Sequence, residues 1–74
     1  MIALDLGHRP IEDLSFLYQM PNLKYLVLLD CHALDLSPIA SCDNLIWLEL
    51  NRAYATSIAP LKDCKSLRDL NLTS

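Results

Sequence analysis

Glycine is almost absent from this sequence of 74 residues, which contains only Gly7. A glycine-rich phosphate-binding loop and a flexible glycine-rich linker are therefore both excluded. No apolar run approaches the roughly 18 residues that a membrane-spanning helix needs. The N-terminal residues also lack a basic segment followed by an apolar stretch and a small-residue cleavage site. We expect a soluble chain without a targeting segment.

Positive charge is scarce as well. Six lysines and arginines stand against nine aspartates and glutamates, which gives a net charge of −3 and a pI near 5.0. The six cations are scattered along the sequence instead of forming a run. A polyanionic partner needs a concentrated basic patch. The sequence therefore predicts no nucleic-acid partner and no membrane partner.

Cysteine occurs three times, an odd number for a disulfide scaffold. Cys42 and Cys64 occupy equivalent positions 22 residues apart, which would bring them near bonding range, but parallel side chains would have to twist to form a disulfide. Free cysteine packs as a small apolar residue. We expect buried, reduced thiols, and a reducing compartment, with the cytoplasm favoured.

The abundant feature is a leucine pattern with a fixed spacing. Hydrophobic residues make up 53% of the chain, and a shift of 22 residues superimposes its apolar positions from one end to the other. Leu26 falls on Leu48 and Leu70 in this way, and Leu4 falls on Leu26. The spacing predicts one domain, 1–74, with repeats at 1–22, 23–44 and 45–66 and a partial repeat at 67–74.

Each repeat opens with alternating apolar and polar residues. This alternation predicts short strands at 3–7, 25–29, 47–51 and 69–73, with their leucines facing inward. Pro38 and Pro60 prevent a long helix after each strand. Apolar residues three apart then predict one turn of 3₁₀ or short α structure at 39–44 and 61–66. Phe16 replaces proline in the first repeat, where we expect a slightly longer turn.

The motifs Leu23-x-x-Leu26-x-Leu28-x-x-Cys31 and Leu45-x-x-Leu48-x-Leu50-x-x-Ala53 resemble the leucine-rich repeat. The end of each repeat, for example Asp35-Leu-Ser-Pro-Ile39, is similar to the 22-residue subclass of bacterial internalins. The resemblance implies an α/β solenoid, with a short parallel sheet on the concave side and 3₁₀ or short helical turns on the convex side. It also implies that the concave side binds proteins.

The sequence departs from this family at two features. The family usually places asparagine where this chain has Arg9, Cys31 and Ala53, and that asparagine bonds to the backbone of neighbouring turns. Cys31 is a weaker donor and Ala53 donates nothing, so we expect a less stable turn after the third strand. The caps that close the two ends of internalin repeat domains are not recognisable either. Open ends expose strand edges and apolar surface, so we expect a homo-oligomer through the solenoid ends.

The candidate binding residues are the outward-facing strand positions. Tyr25 and Trp47 align in neighbouring strands and form an aromatic pair of the kind that anchors protein interfaces. The alternative is that the pair only stabilises the sheet. The full set of candidates also has two apolar members that extend the patch and polar members around it: Tyr25, Val27, Leu29, Trp47, Glu49, Asn51, Asp5, Asp69 and Asn71.

No pattern in the sequence predicts a metal, a cofactor or catalysis. Cys31, His32 and His8 match no zinc spacing, and Cys31 is expected to point inward. A Cys31–His32 nucleophilic pair lacks a third group and oxyanion donors. We therefore predict a protein–protein interaction module that is not an enzyme. The alternatives are a structural, self-assembling segment or a fragment of a larger repeat protein with its activity elsewhere.

Overall fold

The computed structural model describes residues 2–52, residue 54 and residues 57–73, with the backbone alone at Thr73. Strands and single 3₁₀ turns alternate along the chain. The strands are β1 (Ala3–Asp5), β2 (Tyr25–Leu28), β3 (Trp47–Asn51) and β4 (Asp69–Thr73). The turns are η1 (Ser15–Gln19), η2 (Ser37–Ser41) and η3 (Ala59–Asp63).

The four strands form one parallel sheet in the order β1-β2-β3-β4. The register follows the 22-residue shift, since Leu4 pairs with Leu26, Leu26 with Leu48 and Leu48 with Leu70. A single repeat cannot bury its own leucines, whereas stacked repeats share a continuous core. The predicted fold class is confirmed.

β1 is shorter than the predicted strand at 3–7, and β2 ends one residue early. Gly7 has a φ of 58°, in the left-handed region that glycine adopts without steric cost. The backbone N–H of Gly7 donates a hydrogen bond of 2.8 Å to Oδ1 of Asp5, so the chain turns where the alternation suggested a continuing strand. Pairing resumes beyond the turn, because the amide of Leu29 donates to the Gly7 carbonyl at 3.0 Å.

The second and third 3₁₀ turns, predicted at 39–44 and 61–66, begin two residues earlier, at Ser37 and Ala59. A side-chain oxygen starts each turn by accepting the backbone N–H two residues further on: Asp13 from Ser15, Asp35 from Ser37, and Ser57 from Ala59. All three turns are five residues long, so the expectation of a longer first turn was wrong.

The core lies between the sheet and the turns, and its exposure differs between the two ends. Leu26, Leu28, Leu48 and Leu50 are fully buried, whereas the equivalent Leu70 and Leu72 in β4 are 44% and 41% exposed because no described repeat lies beyond them. At the other end Leu14 and Leu17 are buried, and the larger side chains of Phe16 and Met20 pack against the core where the later repeats have proline and cysteine. The C-terminal face of the core is therefore the more open one.

Cys31, which stands where the family usually has asparagine, is fully buried, as expected from the sequence. Its backbone joins two repeats, because the Cys31 amide donates to the Asn51 carbonyl at 3.4 Å and the Tyr54 amide donates to the Cys31 carbonyl at 3.1 Å. The prediction of an unstable turn at Ala53 lies outside the described residues.

Within the ranges that the structure describes, every buried side-chain nitrogen or oxygen has a hydrogen-bond partner. In the same ranges, none of the helices has the length and hydropathy of a membrane span.

Candidate protein-binding face

The solvent-exposed face of the sheet, called the sheet face below, carries a row of side chains in register. This row consists of Ala3, Tyr25, Trp47 and Asp69. Tyr25 and Trp47 are 42% and 41% exposed although they sit on the two central strands. Neighbouring strands of a sheet lie about 4.8 Å apart, so the two residues are adjacent on the sheet. The predicted alignment of Tyr25 with Trp47 is confirmed.

A second row runs parallel to the first and consists of Asp5, Val27, Glu49 and Asn71. Its two carboxylates alternate with uncharged residues. Like charges therefore sit two strands apart, about 9.6 Å, which is close to the screening length at physiological ionic strength. The mutual repulsion of these two carboxylates is therefore small.

The remaining predicted residues extend this surface toward the carboxyl ends of the strands. Leu29 lies beside Gly7 through their backbone hydrogen bond and is partly buried. Asn51 is partly buried at the end of β3 and pairs with Thr73. The structure thus places eight of the nine predicted residues on one face of the sheet, and the ninth, Leu29, directly after β2. Whether a partner contacts them stays a prediction.

An interaction at the carboxyl ends of the strands was not foreseen. Nε2 of His32 lies 2.8 Å from Oδ1 of Asp30, and the His32 ring stacks on Tyr54 with centroids 4.4 Å apart and planes 19° apart. The 22-residue spacing could have predicted this contact, since Tyr54 is the residue 22 places after His32. These side chains link the second and third repeats beside the sheet face.

A second feature corrects the view that the cations are scattered. Lys24, Lys65 and Arg68 line one depression of about 580 Å³ near the amino ends of β2, β3 and β4. These residues are far apart in sequence, but 24 and 68 are equivalent positions two repeats apart, on either side of Ile46. The fold concentrates three of the six basic side chains at one place.

The thiols are directed into the core. Cys31, Cys42 and Cys64 are all buried and none forms a disulfide. Burial raises the pKa of each thiol, which disfavours the reactive thiolate. Among the described residues no group of three His, Cys, Asp or Glu side chains could hold a metal ion.

A parallel sheet with one 3₁₀ turn in every 22 residues defines a leucine-rich-repeat solenoid. An internalin (inlF) structure from Listeria monocytogenes strain 4b matches with a TM-score of 0.88 and 35% identity, over 97% of this chain and 22% of that chain. An internalin C2 structure from the same organism matches with a TM-score of 0.61 and 24% identity, over 99% of this chain and 42% of that chain, and supports the fold alone.

The chain is an internalin-like leucine-rich-repeat protein. It spans less than half the length of either internalin structure. No protein-family model and no curated protein matches the sequence.

Proposed function

We propose that this chain is a protein–protein interaction module that binds a partner through the sheet face and carries out no catalysis. The observation that supports this most directly is the aromatic pair Tyr25–Trp47, which is about 40% exposed at the centre of the sheet. Exposed aromatic side chains that are rigidly held are the residues that anchor protein interfaces. The two internalin structures are consistent with a binding role for a repeat surface of this kind.

The structure bears on the alternative that the pair only stabilises the sheet. The sheet already has a continuous fully buried core of leucines behind it, which Tyr25 and Trp47 do not complete. The pair also continues into Val27 and Leu29, so the apolar surface extends beyond a single cross-strand contact. A surface that combines exposed aromatic side chains with partly exposed aliphatic ones is consistent with a contact site. Asp5, Glu49 and Asp69 at its margin favour a partner with basic groups around an apolar centre.

The experiment selects peptides from a random display library on the wild-type chain and measures their affinity for two variants. Trp47→Ala should weaken the selected peptides by about 30-fold, the loss of about 2 kcal/mol expected for an anchoring aromatic. Tyr18→Ala is the matched control, because Tyr18 is 59% exposed but belongs to η1 on the other side of the core.

Circular dichroism on both variants establishes that they are folded. Equal affinity of the peptides for the folded wild type and the folded Trp47→Ala variant, or equal losses in both variants, would contradict binding at the sheet face.

Self-association is a second candidate function, and a separate observation favours it. Ile58, Leu70 and Leu72 are between 41% and 52% exposed at the C-terminal face, although the positions equivalent to them in the second repeat are buried. A second copy stacked on this face would bury these side chains and pair with the free edge of β4.

Leu72→Lys should abolish this association, as measured by light scattering at tens of micromolar. Leu34→Lys is the control, since Leu34 is 68% exposed and lies outside that face. A wild-type chain that is monomeric at this concentration would rule self-association out.

We also propose that the chain works in a reducing compartment, with the cytoplasm favoured. The support is that its three thiols are buried and free, so its folding requires no disulfide.

A further inference from the structure

We propose that the depression formed by Lys24, Lys65 and Arg68 binds carboxylate side chains, and that its occupant is an acidic segment of the protein partner. This depression is called the basic concavity below. The inference rests on the proposed function, because it assigns a second contact to the same partner. It does not depend on the aromatic pair being the anchor.

The first argument is charge. The chain has a net charge of −3, yet three of its six basic side chains and none of its carboxylates line this one depression. Within the part of the chain that the structure describes, no lysine or arginine forms an ion pair with a carboxylate, so the three cations have no carboxylate partner within bonding distance. Three cations around one concave surface give it a positive potential, which attracts an anion.

The second argument is the lining. The Asn44 side-chain amide in the lining can donate a hydrogen bond to a carboxylate. The Ser66 hydroxyl already donates its proton to the Asp43 carbonyl at 3.0 Å, so it contributes polar surface and no further donor. Ile46 and Leu67 contribute apolar surface. A glutamate side chain matches this combination, because its apolar stem and charged head contact both kinds of surface. The volume of about 580 Å³ has room for more than one such side chain.

The third argument is position. Three lining residues directly precede members of the first row of the sheet face: Lys24 precedes Tyr25, Ile46 precedes Trp47 and Arg68 precedes Asp69. The basic concavity therefore lies at the amino ends of the strands that form the sheet face. A partner whose apolar group lies on the aromatic pair can place residues a few positions away in its own chain over the cations. A nucleic acid fits less well, since Glu49 and Asp69 on the adjoining face would repel a continuous phosphate backbone.

The test is a titration of the wild-type chain with hexaglutamate, followed by NMR amide shifts. We expect saturable shifts at residues 24, 44 and 65–68, and none with hexaglutamine. Lys65→Glu and Arg68→Glu should each weaken binding at least threefold, roughly the effect of removing and reversing one exposed charge. Lys62→Glu is the matched control, because Lys62 is also an exposed lysine and lies in η3, outside the depression. All three side chains are exposed, so the variants should stay folded.

Trp47→Ala separates this inference from the proposed function. Hexaglutamate has no apolar anchor, so its affinity should not change in that variant even if the aromatic pair proves to have no partner. If Lys62→Glu weakens the binding of hexaglutamate as much as Lys65→Glu does, the binding depends on net charge alone and the inference is overturned. Inorganic phosphate and single-stranded DNA are titrated in the same way. If either produces the same shifts with a higher affinity than hexaglutamate, the inference is overturned in favour of a small-anion or nucleic-acid site.

Discussion

The thiol of Cys42 donates a hydrogen bond to the carbonyl oxygen of Leu17, which lies in the preceding repeat, at 3.9 Å. The contact recurs one repeat later, where the Cys64 thiol donates to the Ile39 carbonyl at 3.8 Å. Both pairs are separated by 25 residues. Each thiol therefore points at the backbone of the repeat before it, and this direction explains why two equivalent cysteines in adjacent repeats remain free.

The buried thiols should be protected in the native chain. Because burial raises the pKa of all three, Ellman's reagent at neutral pH should label them slowly under native conditions and rapidly in denaturant. Cys64 is 7% exposed at the open end and Cys42 is fully buried, so Cys64 should react first. Mass spectrometry of the singly labelled chain identifies the site. Fewer than three free thiols in a denatured, non-reduced sample would contradict the proposed reducing compartment.

Equivalent leucines should differ in their contribution to stability. Leu48→Ala leaves a cavity in a fully buried site and should lower the free energy of unfolding by about 3 kcal/mol. Leu70→Ala at the paired position, 44% exposed, should lower it by only about 1 kcal/mol. Urea denaturation followed by tryptophan fluorescence measures both. Similar losses at a dilution where the chain is monomeric would mean that the C-terminal face is covered within the monomer.

The hydrogen bonds that start the 3₁₀ turns should make stability depend on acid pH. Backbone and hydroxyl donation from Ser15 lowers the pKa of Asp13 below 3.8, and Ser37 lowers that of Asp35 in the same way. A lowered pKa in the folded state means that the unfolded chain takes up protons first as the pH falls. The contribution is therefore fully present well above pH 3.8 and is lost as the pH falls below it.

The third turn supplies the control for this pH dependence, because Ser57 accepts the same bond without a charge. A chain with Asp13→Ser and Asp35→Ser should keep its turns but show a smaller loss of stability between about pH 5 and pH 2. Urea midpoints across that range compare the two chains. Parallel pH profiles would show that the two carboxylates do not couple to folding.

The stacked pair His32–Tyr54 should couple the second and third repeats. A double-mutant cycle with His32→Ala and Tyr54→Ala should give an interaction free energy of about 0.5 kcal/mol, the lower end for aromatic pairs because both rings are partly in water. Asp30→Asn tests the second contact of the ring separately, since it retains the stacking and weakens the bond to Nε2. Strictly additive single losses would show that the stacking adds no coupling.

The fold was predictable because the leucine spacing is a local pattern that repeats. Leu4, Leu26, Leu48 and Leu70 pair across the sheet in the order that a 22-residue shift requires. The aromatic pair followed from the same shift. The starts of the second and third 3₁₀ turns were misplaced because the prediction used the apolar spacing alone. The side-chain oxygens of Asp35 and Ser57, which accept from the backbone two residues further on, mark where these turns begin.

The sequence by itself determined the repeat, the register of the strands and which side chains face outward. All three follow from the 22-residue spacing of the leucines and from the alternation within each strand, which can be read from the sequence alone. Only the tertiary structure decided which residues from different repeats meet away from the sheet. Lys65 is 41 positions from Lys24 and not at an equivalent place in the repeat, so no period brings them together. Their meeting in the basic concavity depends on how the loops before the strands pack side by side, which is a property of the stacked repeats and not of any one of them.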